Sequence, residues 1–470
     1  MLKHTTLILK NLSSAEVINR YLPIYYRSRN VNASQNASEN FPSSFCTSTA
    51  LQTMHGTLPN CDSETKGPLS GMKILDMSRV LAGPFSSMLL ADLGASVIKV
   101  ERPGVGDETR TWGPPFVGSP GNKQSCYFIG VNRNKASVSI NIKHPTGRDI
   151  VRDLSQKCDV LLENFVPGVL SRLGLGYEDL KHDAPRLIYC SLTGYGSSGP
   201  YSKRPGYDVT ASSVGGLIGV TGPQDGPPCK VGVALVDLAA GLYAHGAIMA
   251  AIIERYKTGR GQRIECDLLA TQVACMTNLA SNYLNAGVEA KRYGTAHASI
   301  VPYQAFQTRD GSYITIAGNN NAQFAALCDR LDLQQLVTDQ RYTNNGDRVT
   351  NRVQLISELS ERFAEKDSKD WLERFEGCAF PYARINSLSQ AFSDPQVVHK
   401  DMVKTVHHPV TGDVKVVGPA VQFSESENKV RGPPPLLGEH TRTVLTELLS
   451  YSHAQVTEFE QQGIIQCAPQ

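Results

Sequence analysis

From Gly71 onward, short apolar runs alternate with amphipathic segments. The apolar runs MKILDMSR, SVIKVER, SVSINIK, DVLLENF and LIYCSLTGYG are predicted strands. The segments between them, GPFSSMLLADLGA, TGRDIVRDLSQKC and the region of GYEDLKHDAP, are predicted helices. Strands that are apolar throughout and alternate with helices indicate an α/β domain built on a parallel sheet.

In such sheets ligands bind beyond the carboxyl ends of the strands. The residues that directly follow the predicted strands are therefore the first candidates for a binding site. They are Arg79 with Gly83-Pro84, Glu101-Arg102, Asn164-Phe165 and Gly194-Tyr195-Gly196.

The stretch VGVALVDLAAGLYAHG, residues 231–246, places one carboxylate, Asp237, before a ladder of small residues. The pattern predicts a helix that follows Asp237 and runs to about Lys257. Because this helix is apolar on almost every face, it is expected to be buried. A second long helix is predicted over LLATQVACMTNLASNYLNAG.

Two roles remain open for Asp237. An aspartate at a helix start is most often an N-cap, which accepts hydrogen bonds from N–H groups of the first turn. The same donors and the helix dipole would hold its carboxylate ionised. An ionised carboxylate with restricted access to solvent is also a competent nucleophile toward an activated acyl group.

Beyond about Ile300 the pattern changes to short strands and more polar helices. YQAFQTRDGSYITIAG, NAQFAALCDRLDL and RVQLISELSERFAEKDSKDWLERFEG indicate a smaller α+β domain. HHPVTGDVKVVGPAVQFS predicts a β-hairpin, and RGPPPLLGEHTRTVLTELL a C-terminal helix.

Composition excludes several classes of protein. The 46 Lys and Arg nearly balance 44 Asp and Glu, so no global field favours nucleic acid or an anionic membrane. Eleven cysteines without a C-x-x-C pair argue for reduced thiols rather than disulfides or a thiolate metal site. No run of about 18 apolar residues is apparent, so a membrane-spanning helix is not expected. The sequence also lacks a G-x-G-x-x-G after the first strand, a P-loop and an H-E-x-x-H motif.

The first seventy residues are basic, rich in Ser, Asn and Thr, and poor in acids. This make-up is typical of a mitochondrial transit peptide and indicates the mitochondrial matrix, with a merely disordered leader as the alternative. We therefore expect residues 1–70 to take no part in the fold.

Several segments together carry a resemblance to a known family. VGVALVDLAAGLYAHGAIMAAIIERYKTGRGQ closely resembles the core segment of the class III CoA-transferases. VLAGPFSSMLLADLGASVIKVERPGVGDETR, LLENFVPGVLSRLGLGYEDL, GYGSSGPYSKRPGYD, FSDPQVVHKDMV and PPPLLGEHT extend the likeness from Gly71 to the C-terminus.

The resemblance implies an interlocked homodimer of ring-shaped subunits. Each would have a large Rossmann-like CoA-binding domain at 71–290, a smaller α+β domain at 300–395, and a segment at 396–470 that returns to the large domain. It implies transfer of CoA from succinyl-CoA to a dicarboxylic acid, glutarate foremost. CoA thioesters would be substrates rather than bound cofactors, and no metal, ATP, nucleic acid or membrane is implied.

By the same resemblance, Asp237 matches the catalytic aspartate, which forms an acyl anhydride and then a CoA thioester. The positions that match CoA contacts are Arg79, Leu81, Arg102, Ile142, Lys143, Asn164, Arg172 and Tyr207. Candidates for contact with the acyl groups are Arg110, Trp112, Arg204, His297 and Tyr303, with Lys203 and Arg292 as further cations for a distal carboxylate.

Two alternatives stay open. An α-methylacyl-CoA racemase shares the fold but pairs the equivalent aspartate with a histidine, since racemisation needs an acid and a base. Here Tyr207 stands in the histidine's place, within Pro205-Gly206-Tyr207-Asp208, which favours the transferase. The other alternative is a CoA-binding protein without transferase activity.

Overall fold

The computed structural model describes residues 67–469, so residues 1–66 of the predicted transit peptide lie outside the described residues. The expectation that residues 1–70 take no part in the fold is wrong at its end, because Leu69 is buried in the core and its N–H donates to the carbonyl of Leu93 at 3.0 Å. Within that range the chain forms fourteen strands: β1 Lys73–Asp76, β2 Ser96–Glu101, β3 Phe116–Val117, β4 Gln124–Ser125, β5 Lys135–Ile140, β6 Val160–Glu163, β7 Ile188–Thr193, β8 Arg263–Asp267, β9 Tyr303–Gln307, β10 Tyr313–Ala317, β11 Tyr382–Arg384, β12 Val403–His408, β13 Gly412–Val417 and β14 Ile465–Gln466.

The helices of the same range are α1 Ala82–Asp92, α2 Cys126–Val131, α3 Pro145–Lys157, α4 Val169–Arg172, α5 Tyr177–Leu180, α6 Asp208–Val214, α7 Leu217–Val220, α8 Leu235–Thr258, α9 Leu268–Cys275, α10 Thr277–Ala286, α11 Asn321–Arg330, α12 Gln335–Thr338, α13 Asn345–Thr350, α14 Arg352–Phe363, α15 Ser368–Phe375, α16 Leu388–Phe392, α17 Pro395–His399, α18 Thr441–Thr443 and α19 His453–Gln461.

The main sheet has seven strands in the order β14-β5-β2-β1-β6-β7-β8. Six of them are parallel, which confirms the predicted α/β architecture, whereas β14 joins the edge antiparallel to β5. Both faces are covered. One face packs on α3 and C-terminal residues such as Leu445, and the other on α1 and α8. This burial explains why the strands are continuous apolar runs.

Helix α8 differs from the expectation that it is buried all round. Its Ala240, Ala244 and Ile248 lie in the core, but Leu242 and Tyr256 are exposed in the single chain. By length and composition α8 is able to cross a membrane, contrary to the sequence-based expectation. Its packing against the sheet and its buried Arg255, which pairs with Asp159 at 2.9 Å, are those of a core helix.

The predicted second long helix is divided into α9 and α10. The break falls at Met276 and Thr277, and Thr277 has a φ of +39°, outside the helical range. The segment predicted as one helix near Gly176 contains only the single turn α5.

Residues 301–380 have a hydrophobic core of their own. It contains Trp371, Phe363 and Phe306, and the antiparallel sheet β11-β10-β9 forms one side of it. The hairpin predicted after His407 is confirmed as β12–β13. The domain boundaries given above remain predictions.

Candidate active site

Asp237 is not the N-cap of its helix. It is the third residue of α8, and the N-cap is Ala234, whose side chain cannot accept a hydrogen bond. The capping acceptor comes from elsewhere in the chain. The Asp208 carboxylate accepts the N–H of Val236 at 2.7 Å and that of Asp237 at 3.3 Å. The predicted capping role of Asp237 is therefore wrong.

The expectation that helix N–H groups hold the Asp237 carboxylate ionised is also wrong. The first-turn N–H groups are already used: those of Leu235 and Leu238 bond to backbone carbonyls, and the other two bond to Asp208. The Asp237 side chain is only 9% exposed. Burial, with the Asp208 carboxylate as the second cause, raises the pKa of Asp237 to about 7. Its charged form is thus destabilised.

Asp237 opens into a pocket of about 190 Å³ at the carboxyl ends of β1, β6 and β7. The sequence-predicted residues Arg79, Leu81, Trp112, Asn164 and Tyr207 line the same pocket. Leu81 and Ala82, at the start of α1, also border it, and the first turn of this helix receives no side-chain cap.

The loop between β1 and α1 is held in an unusual conformation. Val80 has a φ of +71°, which is strained for a β-branched residue. The Asn164 amide fixes the preceding residue, since it accepts the N–H of Arg79 at 2.9 Å and donates to its carbonyl at 2.7 Å. The Asp107 carboxylate accepts the Val80 N–H at 3.2 Å. The strained loop is thus fixed from two sides beside the pocket.

A second pocket, of about 300 Å³, adjoins the first. Arg79, Arg102, Ile142 and Lys143 line it, so four of the predicted CoA contacts meet there. Arg79 borders both pockets, pairs with Glu108, which also borders both, and lies 5.1 Å over the ring of Phe165. Arg172, at the end of α4, lines neither pocket.

A layer of buried charges underlies this second pocket. Lys99 and Lys135 are fully buried and pair with Asp107 at 2.9 Å and with Asp76 at 3.1 Å, respectively. Burial lowers the pKa of Lys135 to about 8, while the Lys135 and Lys99 ammonium groups hold the pKa of Asp76 down at about 2 despite its burial. Sequence reasoning missed this layer; its signal is the lysine within the apolar strand SVIKVE.

Arg110 belongs to the same layer and is already neutralised. Its guanidinium makes two hydrogen bonds to Glu101, at 2.7 and 2.6 Å, and lies 3.8 Å over the ring of Phe128. The geometry therefore gives no support to Arg110 as the cation for an acyl carboxylate.

The other acceptor candidates divide into two groups. Arg204 stacks at 3.8 Å on the ring of Tyr201 and lines a small cavity that shares Asn164 and Gly194 with the Asp237 pocket. Lys203 lines another cavity, which shares Val166 and Thr193 with the Asp237 pocket, whereas Arg292 is committed to three backbone carbonyls.

His297 and Tyr303 stack on each other, with ring centroids 5.4 Å apart, at the edge of the smaller core. Neither lines either of the pockets described above. In the described range 67–469, no group of three or more His, Cys, Asp or Glu side chains is arranged to hold a metal ion.

Comparison with known proteins identifies the class to which this fold and site belong. The model of CoA-transferase family III matches residues 69–441, and the chain belongs to that family. It is 53% identical over 407 residues to the succinyl-CoA:glutarate CoA-transferase of Homo sapiens, covering 87% of this chain and 92% of that protein. It is 40% identical to the succinate–glutarate CoA-transferase of Agrobacterium fabrum, covering 82% and 96%.

A solved structure shows the same architecture. A CAIB/BAIF family protein from Brucella suis superposes with a TM-score of 0.75 at 40% identity, covering 82% of this chain and all of that one.

Proposed function

We propose that the protein transfers CoA from succinyl-CoA to a dicarboxylic acid, with glutarate the preferred acceptor, through covalent intermediates on Asp237. The observation that carries the proposal is the state of this carboxylate. It is buried, faces a pocket next to a second pocket lined by cations, and its pKa is raised to about 7. Relatives with the names given above support the choice of donor and acceptor.

The first half of the reaction loads Asp237 with CoA. A carboxylate oxygen of Asp237 attacks the thioester carbon of succinyl-CoA, the C–S bond breaks, and CoA leaves as a thiolate. The product is a succinyl–aspartyl anhydride. The thiolate then attacks the Asp237 carbonyl, which releases succinate and leaves an aspartyl-CoA thioester.

The second half runs the same steps toward the acceptor. A glutarate carboxylate displaces CoA from Asp237 to give a second anhydride, and the thiolate takes the glutaryl group from it. Each step exchanges one activated acyl link for another. The backbone N–H of Ala82, which lines the pocket at the start of α1 and receives no side-chain cap, is the donor proposed for the oxyanions that form at each carbonyl.

In this proposal CoA lies along the two adjoining pockets. Arg102 and Lys143 bind nucleotide phosphates and Ile142 packs against the nucleotide, since these residues share the second pocket. Arg79, Leu81, Asn164 and Tyr207 guide the remainder toward Asp237. Arg172 is kept as a contact on the strength of its matching position alone.

For the distal carboxylate of the acceptor we propose Arg204. Its cavity shares Asn164 and Gly194 with the Asp237 pocket, and its guanidinium stacks on the ring of Tyr201. Trp112, half-exposed and in edge contact with Tyr127, forms an apolar wall of the pocket beside Asp237.

The racemase alternative loses support in the structure. Racemisation needs a base and an acid on opposite faces of the α-carbon, and no histidine lines the pocket that contains Asp237.

We also propose that the protein is a homodimer in the mitochondrial matrix. Leu242, Tyr243, Ile253 and Tyr256 on α8, with Leu284 on α10, expose large apolar surfaces in the single chain, which is typical of a subunit interface. The basic, acid-poor leader supports the mitochondrial address. Light scattering after gel filtration tests the dimer, and a monomer would contradict it.

The function is tested by incubating the protein with succinyl-CoA and glutarate and following CoA esters by chromatography. We expect glutaryl-CoA and free succinate to form together, only when glutarate is present, and not with Asp237→Ala. Asp394→Asn serves as a matched control, since Asp394 caps α17 and lines neither of the two pockets. Release of free CoA without an acceptor would indicate a hydrolase and contradict the proposal.

A further inference from the structure

We propose that Asp208 is a positioning residue for the transfer reaction: its carboxylate fixes the first turn of α8, and its charge drives Asp237 toward its uncharged acylated forms. This inference rests on the proposed function, because it assumes that Asp237 is the nucleophile.

The first support is the geometry of the cap. Asp208 begins α6 and lies 29 positions before Asp237, yet its Oδ2 accepts the N–H groups of Val236 and Asp237 at 2.7 and 3.3 Å. A Ser, Thr, Asn or Asp at position 234 could cap the helix locally without help from another element. Ala234 stands there instead. The cap is thus supplied by an aspartate from a distant part of the same chain, and this aspartate also accepts the backbone N–H of the nucleophile, Asp237.

The second support is the difference in hydrogen-bond donors between the Asp208 and Asp237 carboxylates. Asp208 receives two N–H donors at a helix N-terminus, an arrangement that stabilises a negative charge. Asp237 is itself part of the first turn of α8, but its carboxylate accepts no N–H of that turn, because these groups already donate to Asp208 or to backbone carbonyls. Neighbouring acids whose surroundings differ in this way take different roles in catalysis. Here Asp208 accepts two first-turn N–H groups, and the Asp237 carboxylate accepts none of them.

The repulsion has a direct consequence for the chemistry. When Asp237 attacks the thioester, its charge moves to the departing CoA thiolate, and the anhydride link formed at Asp237 is uncharged, while the succinyl group keeps its distal carboxylate. The aspartyl-CoA thioester is neutral at the same position. Because Asp208 repels only the free carboxylate, it raises the energy of the starting state and favours both intermediates.

Other charged or titratable groups near Asp237 do not contact the first turn in this way. Tyr127 on α2, Tyr207 before α6 and the Arg79–Glu108 pair interact with Asp237 or line its pocket. The titratable groups on α8 itself and on the elements packed against it include His245 on α8, Asp92 on α1, Tyr189 and Cys190 on β7, Glu265 and Cys266 on β8, and Asp267 before α9. Among the described residues, Asp208 alone accepts these first-turn N–H bonds through its side chain.

The test separates the charge from the cap. Asp208→Asn keeps a side-chain oxygen that accepts both N–H groups and removes the charge. Asp394→Asn is the matched control, since Asp394 caps α17 by accepting the N–H groups of Gln396 and Val397 at 2.9 and 3.4 Å. Two quantities are measured: kcat/KM for succinyl-CoA against pH, and the fraction of chains that carry an acyl or CoA adduct on Asp237 when acceptor is absent.

In Asp208→Asn we expect the rising part of the plot of kcat/KM against pH, the ascending limb, to move to lower pH by about one pH unit, because a neighbouring like charge is lost. The adduct fraction should fall several-fold, and Asp394→Asn should change neither quantity. A merely structural role for Asp208 predicts no shift of the limb. If Asp208→Asn does not fold, Asp208→Ser supplies an uncharged acceptor and must shift the limb in the same direction.

Two outcomes overturn the inference. An unchanged limb and an unchanged adduct fraction in a folded Asp208→Asn protein would refute it while leaving the proposed function intact. Absence of any adduct and of any transfer in the wild type would instead refute the proposed function, and the inference with it.

Discussion

Replacing Asp237 with asparagine is expected to abolish transfer and yet stabilise the protein. Asparagine has the shape of aspartate but carries no charge, so it removes the cost of holding a carboxylate in a buried site beside Asp208. A gain in stability on loss of a functional group indicates that the fold bears strain for the sake of chemistry.

The size of the gain follows from the pKa. The pKa of Asp237 is about 7 in the folded protein and 3.8, the ordinary value for aspartate, in the unfolded chain. Between these values the unfolded chain has released its proton and the folded chain has not, so the wild type loses stability as pH rises and the loss is constant above pH 7. The difference corresponds to about 4 kcal/mol at pH 8 and roughly 1.6 kcal/mol at pH 5.

Thermal unfolding of wild type and Asp237→Asn, at one protein concentration and across this pH range, measures the effect. For a domain of roughly 400 residues, these energies correspond to a Tm about 5 °C higher for the variant at pH 8 and about 2 °C higher at pH 5. Asp394→Asn should show no such pH-dependent gain. A Tm difference that is equal at both pH values, or a variant that is less stable than wild type, would refute the reasoning.

Three further predictions follow from the same geometry. The wild-type kcat/KM for succinyl-CoA should rise through about pH 7 as Asp237 loses its proton, and initial rates that are flat between about pH 5 and pH 8 would contradict this. Arg102→Ala should raise the KM for succinyl-CoA by roughly tenfold without changing the KM for glutarate, and Arg204→Ala should raise the KM for glutarate without changing that for succinyl-CoA. Steady-state kinetics with each substrate varied measures both constants, and equal effects of either variant on the two would count against the assignments. Lys99→Met removes the cation that pairs with Asp107 and that also stabilises the buried carboxylates of Asp76 and Glu101. It should cost about 3–5 kcal/mol in urea unfolding, whereas a loss near zero would show that the charge layer is not held by this lysine.

The main sheet was predictable because most of its strands are buried on both faces. Such strands are continuous apolar runs, and the helices between them keep their amphipathic pattern. The two edge strands of this sheet, β8 and β14, were missed because neither is a continuous apolar run. β8, with the sequence RIECD, is largely polar and partly exposed, and β14 has only two residues. The exposed apolar side of α8 was not readable either, since apolar composition does not distinguish a core from a subunit interface.

At the site, Arg79, Leu81, Trp112, Asn164 and Tyr207, which the sequence predicts as contacts, line the same pocket as Asp237. Of the two local roles that the sequence left open for Asp237, that of N-cap is wrong. The N-cap was assigned from sequence proximity, whereas the true acceptor, Asp208, is 29 positions away and reaches the helix only in the folded chain. Arg110 shows the same limit. Its charge is visible in the sequence, but its pairing with Glu101 depends on how the segment after β2 folds back.

The central claim is that Asp237 becomes covalently loaded during transfer. Mass spectrometry of the intact protein, mixed with succinyl-CoA in the absence of acceptor and then mapped by peptide, tests this most directly. The account predicts added mass of a succinyl group or of CoA on the peptide that contains Asp237, lost on addition of glutarate with formation of glutaryl-CoA. Transfer to glutarate that proceeds in full without any adduct at Asp237, or with the adduct on another residue, would contradict it.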